Sequence, residues 1–214
     1  MTYPFFTRYL PFAMTGVLLL SGCSSAPSTS EAQQAVEAAL GECSQVEVAN
    51  FEKVNGIANG DSNYTLQVKY SLKFSPLETS TQTIQQLHVF FDEQKQKLQQ
   101  TEEFIADIDA KQKAGLLKPG ENEDPDHGPY YVAMTDYQFG QNYIRGYPFL
   151  LKQRTAEVRQ VLANNLMAAC PSLPRYIAKD YGNADIESFG DTIQIDYTND
   201  SLLMVKSDNG WIGN

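Results

Sequence analysis

Apolar and polar residues alternate without a break over residues 64–74, where Tyr64, Leu66, Val68, Tyr70, Leu72 and Phe74 share one face. A period of two predicts a half-buried strand. Residues 45–54 begin the same way with Val46 and Val48, then Phe51, and predict a second strand. Between the two, Asn55-Gly56 and Asn59-Gly60-Asp61-Ser62-Asn63 supply residues that tolerate positive φ, so the pair is expected to form an antiparallel hairpin with a long polar tip. Upstream, residues 30–40 read as a short amphipathic helix, capped by Ser30, carrying Ala35, Val36, Ala39 and Leu40, and stopped by Gly41.

Past residue 79 the period changes. No proline occurs in residues 79–116, and Ile84, Leu87, Phe91, Leu98, Ile105 and Ile108 recur at spacings of three, four and seven. This predicts one long helix, with a break near Thr101 as an option because its length exceeds what a small sheet covers. Gln94 and Thr101 interrupt the heptads of its apolar stripe. Residues 118–129 hold three prolines among acidic and polar side chains and predict a loop. A strand-like piece is expected over residues 130–139, and a second helix from Phe149 or Leu151 to Ala169, closed by Cys170-Pro171. After a helical turn at residues 174–181, alternation returns over 186–189, 192–197, 202–206 and 211–212, and predicts a strand meander. Strands flanking helices without regular βαβ order point to an α+β fold: an antiparallel sheet of hairpins and a C-terminal meander packed with one long helix and shorter ones.

Composition adds the compartment and excludes some partners. Lys+Arg 16 against Asp+Glu 26 gives a net charge of −10, which repels phosphate backbones and argues against nucleic acid. Residues 1–22 place Arg8 before an apolar run too short to span a bilayer, the layout of an export leader. The run ends in Leu20-Ser21-Gly22-Cys23, which resembles the lipobox of bacterial lipoproteins. That resemblance implies cleavage before Cys23, lipidation of its thiol and anchoring in a membrane by two or three acyl chains. Ser24 resembles the residue found where such proteins pass to the outer membrane, so the body is expected to be lipid-anchored there and to face the periplasm. Residues 23–30 then read as a tether and residues 31–214 as a single domain. Once Cys23 is lipidated, Cys43 and Cys170 remain as an even pair in an oxidising compartment, and a disulfide is expected.

Candidate chemistry is sparse. Tyr130, Tyr131, Tyr137, Phe139, Tyr143, Tyr147 and Phe149 crowd seven aromatics into twenty residues, and aromatic faces anchor protein partners. The favoured reading is therefore a non-enzymatic envelope component whose partner site uses Tyr130, Tyr131, Tyr137, Tyr143 and Tyr147, with no cofactor and no metal. A second reading rests on Thr135-Asp136, Gly140, Asn142-Tyr143 and Arg154, which resemble the peptidoglycan-binding segment of OmpA-like domains. It implies that Asp136 and Arg154 clamp the amine and carboxylate of diaminopimelate. A third rests on Gly60-Asp61-Ser62 and Asp124-x-x-His127, which resemble the serine and Asp-His elements of GDSL-type hydrolases and imply an esterase. The acidic run Glu121, Glu123, Asp124 and Asp126 reads as a solvated loop rather than a cation site.

Overall fold

A computed structural model of the chain describes residues 26–214; the expected leader (residues 1–22) and Cys23 lie outside the described residues. The first helix, α1 (Thr29–Leu40), starts two residues earlier than the sequence suggests. Its cap is Ser28, whose hydroxyl accepts from the Glu31 N–H at 3.2 Å while the Glu31 carboxylate accepts from the Ser28 N–H at 2.7 Å. This reciprocal box satisfies two of the donors that a helix start leaves unpaired. Pro27 is fully buried, so the folded body reaches back into the segment expected to be tether.

The other oxygen of Glu31 accepts from the backbone N–H of Trp211 at 2.8 Å, fastening α1 to the end of the chain. These hydrogen bonds, those to Ser28 first, hold the Glu31 carboxyl below its ordinary value of 4.5. A depressed carboxylate adds stability above its unfolded-state value and loses it as pH falls through the folded-state value. Glu31→Gln is therefore expected to cost about 1 kcal/mol at neutral pH. In urea titrations the gap between variant and wild type should close as the pH drops below the ordinary carboxylate value; a gap independent of pH would refute the ionic part of the contact.

Four antiparallel strands follow, β1 (Val46–Ala58), β2 (Asn63–Phe74), β3 (Ile193–Ser207) and β4 (Gly210–Gly213), in the spatial order β1-β2-β3-β4. Asn55-Gly56 lies inside β1 instead of the turn, and only the segment around Gly60, at φ 93°, makes the tip. The sheet is bulged where the sequence alternation falters. On β1 the register slips between Ala49 and Glu52, and Asn50 takes φ 52°. That extra residue turns Phe51 to the same face as Val46 and Val48, where its ring stacks on Tyr70.

β3 corrects the expected meander. The Asn199-Asp200 segment is no turn: one continuous strand absorbs it as a bulge opposite Leu66 and Val68. The slip keeps Ile193, Ile195 and Tyr197 before it, and Leu202 and Met204 after it, on the core side. Residues 186–189, expected as strand, lie instead in a 3-10 turn, Ile186–Gly190, whose start is capped by the Asp185 carboxylate accepting from the Glu187 N–H.

Three helices are inserted between β2 and β3: α2 (Glu78–Lys113), α3 (Pro129–Ala169) and α4 (Arg175–Gly182). α2 is unbroken at Thr101. The larger correction is α3, whose 41 residues run through the segment expected to be a strand and across Pro148, about 60 Å at the usual helical rise. Only the first turns of α2 (Ile84, Leu87) and the last of α3 (Val158, Leu162, Leu166) join the core that covers one face of the sheet, together with α1 and α4. Cys43, just after α1, and Cys170, at the end of α3, form the expected disulfide, with Cα atoms 5.2 Å apart. The α+β class expected from the sequence is the one observed.

Candidate functional site

Beyond Phe91, α2 leaves the sheet and continues for about 33 Å as half of an antiparallel helical hairpin, a stem standing on the α+β head. Its seam is written in the heptads: Phe91, Gln94, Leu98, Thr101, Ile105 and Ile108 alternate spacings of three and four. α3 answers with Tyr130, Ala133, Tyr137, Gly140, Ile144, Tyr147 and Leu151 at the same spacings. Such a pattern keeps one stripe of each helix against the other. Gly140 is buried and lets the two helices approach closely: a Cβ there would lie 3.0 Å from the Thr101 methyl and 3.1 Å from Ile105 Cδ1, so those side chains would have to give way by a few tenths of an ångström.

The expected partner-binding tyrosines fall largely on this seam. The Tyr137 hydroxyl donates to Asp109 Oδ1 at 2.8 Å, and this bond to a carboxylate raises its pKa. The Tyr143 hydroxyl donates to the backbone oxygen and side-chain Oε1 of Gln94, at 3.1 and 3.2 Å, while Lys97 Nζ sits 4.7 Å over its ring. Burial raises the Tyr143 pKa. Gln94, an interruption of the apolar heptads, is thus the acceptor for a half-buried phenol. Tyr147 packs edge-on to Tyr143, and Tyr130 edge-on to Tyr131. All five are half-buried, and the hydroxyls of Tyr137 and Tyr143 are bonded to α2 within the stem.

What the stem leaves open is phenylalanine. Each helix of a two-helix hairpin is covered along one stripe only. Phe139 is 68% exposed, and it shares with Phe104 a lateral groove of about 470 Å³, with Tyr143 and Gly140 as its floor and Lys97, Gln100 and Asp136 around it. Val132, one heptad before Phe139, is exposed as well, as is Phe149. The sequence signal for this groove is the seven-residue repeat of Val132 and Phe139 beside the seam of α3, which becomes readable only once residues 130–139 are known to be helical.

The other candidates do not assemble. Asp136 and Arg154 stand 18 residues apart on one continuous helix, about 27 Å along its axis, so the two-point clamp is not formed. Arg154 is taken by Glu157 at 3.2 Å and lies over the Phe90 ring. Ser62 is in the β1-β2 tip on the head, whereas His127 lies in the loop at the far end of the stem, paired with Asp124 at 3.0 Å. N–H donation from Asp126, then His127, holds the Asp124 carboxyl below its ordinary value.

In the acidic loop, Glu123 accepts from the backbone N–H of Gly120 and of Tyr130 and so closes the start of α3. No cluster of His, Cys, Asp or Glu among the described residues has the geometry of a metal site. No helix among them is long and apolar enough to cross a membrane. No family model matches the chain, and neither does any curated protein or solved structure.

Proposed function

We propose that this chain is a lipid-anchored, non-enzymatic component of the bacterial cell envelope, held to the outer membrane through Cys23, whose stem carries a docking groove for a protein partner on the periplasmic side. The lipobox-like Leu20-Ser21-Gly22-Cys23 supports the anchor, and the Cys43–Cys170 disulfide suits an oxidising compartment. The observation that carries the partner reading is the Phe104–Phe139 groove. Two aromatic side chains open on one flank of a projecting stem, remote from any core that would cover them, and such patches mark interaction surfaces. Lys97 and Asp136 at its edge present both charge signs, so the groove fits an apolar ridge on the partner bordered by both acidic and basic groups.

The test is a photo-reactive phenylalanine analogue at position 139 of the full chain, made in a Gram-negative host. One defined protein adduct is expected, absent when the analogue replaces Gln33 on α1. In the same cells Phe104→Ala should weaken that association about thirtyfold, the ~2 kcal/mol of a buried aromatic anchor. Intact mass of the uncoupled protein should begin at Cys23 and include acyl chains. A bare thiol at that position removes the anchor, and equal labelling from positions 139 and 33 removes the groove.

A further inference from the structure

On the opposite end of α3 from the stem tip, α4 crosses it in backbone contact: a methyl added at Gly182 would lie 2.4 Å from the Arg159 carbonyl oxygen. Beside this crossing the two helices part and leave a cleft of about 570 Å³. Its floor is methyl and thioether, from Ala163, Ala178 and Met167, and its walls carry Arg159 on α3 with Arg175 and Lys179 on α4. Gln160, Asn164 and Asn183 add amides, and no carboxylate lines it. In a chain with 26 acidic residues and 16 basic ones, three cations gathered around an acid-free concavity run against the general composition.

The cations are also unneutralised. Elsewhere on the long helices Lys111 pairs with Asp107 and Arg154 with Glu157, each within one turn. Among the described residues, Arg159, Arg175 and Lys179 are in no ion pair. Arg175 and Lys179 stand four apart on α4, a spacing at which like charges repel and destabilise a helix. Arg159 is held in place from the other wall, its Nη1 donating to the backbone oxygen and side-chain Oδ1 of Asn183 at 3.3 Å each. A fixed guanidinium facing a repelling cation pair is an arrangement that a bound anion would relieve.

We infer that the α3-α4 cleft is a binding site for a small multivalent phosphate, its charged groups held by Arg159, Arg175 and Lys179 and its uncharged part lying on the Ala163–Met167 floor. Three cations match a di- or trianion better than a singly charged phosphodiester. The site is on the head, apart from the stem groove, and stands or falls independently of the partner reading.

The probe is inorganic pyrophosphate, titrated calorimetrically at low salt into the full chain in non-ionic detergent. Binding is expected, and Arg175→Gln/Lys179→Gln should weaken it at least tenfold with an unchanged far-UV spectrum and thermal transition, while Lys118→Gln in the stem-tip loop should not. Glycerophosphoglycerol, the deacylated headgroup of a phospholipid, is expected to bind more weakly. Equal binding would overturn the preference for a multivalent phosphate. Absence of pyrophosphate binding, or equal binding by the folded double variant, overturns the site.

Discussion

Replacing Cys43 and Cys170 together by alanine is expected to lower the unfolding free energy by about 4–5 kcal/mol. The two cysteines are 127 positions apart, and the ring they close holds β1, β2, α2 and all of α3. In the chain-entropy model that cross-link acts on the unfolded ensemble, which it deprives of most of its large-scale freedom. Two consequences separate this from simple loss of packing. The far-UV spectrum should be unchanged, and the denaturant slope should rise, because the unfolded chain without the bond exposes more surface. Urea unfolding of the variant and of wild type under oxidising conditions reads both. A loss below about 1 kcal/mol would show that the unfolded chain already holds the two ends together, and would sink the entropic account. Alanine is the right replacement because Cys170 is fully buried, where a serine hydroxyl would add its own desolvation cost.

Phe74→Ala should cost about 3–5 kcal/mol, the range for removing a fully buried aromatic ring. Phe74, fully buried, ends β2 opposite Val46 on one side and Ile193 on the other, and its ring lies 5.2 Å from that of Tyr181 on α4. Tyr181 in turn meets Phe189 at 5.0 Å and donates its hydroxyl to Ser80 on α2. One ring therefore supports three strands and, through Tyr181, both α4 and the root of the stem. The internal control is Phe139→Ala, which removes the same atoms from an exposed site and should change stability by less than about 0.5 kcal/mol. Denaturation midpoints of the two variants test the pair. Similar losses would mean that the stem flank is covered in the isolated chain, which would also remove it as a docking surface.

The readings that succeeded and failed divide by how local their causes are. β2 has unbroken alternation, and the heptad period of α2 carries through its two polar interruptions at Gln94 and Thr101, so each was legible from its own residues. α3 was not. Its first half holds Gly140, Gly146 and Pro148 amid aromatic residues, which by propensity favour strand and loop. The helix persists because Gly140 lets α2 approach and Tyr137 and Tyr143 find acceptors on it, and none of that is visible in α3 alone. Bulges show the same limit. The Asn199-Asp200 segment carries turn chemistry, but pairing with β2 on one side, and the need to keep Met204 and Leu202 in the core, hold it in the strand. The tyrosine cluster resembles a partner site by residue type alone; the hydroxyls of Tyr137 and Tyr143 are bonded within the stem, and the exposed aromatic rings of the groove are Phe104 and Phe139.

The amino-acid order by itself settled the α+β class, the period of the α2 seam and the pairing of the only two cysteines beyond position 23, since each follows from spacing or from elimination. Only the tertiary structure decided that α3 is helical from Pro129, that β3 returns to β2 across three helices, and that Arg159, Arg175 and Lys179 share one cleft. Those outcomes depend on contacts between residues far apart in the chain, and the free energy of such contacts is set by what each segment meets, not by the segment's own preferences.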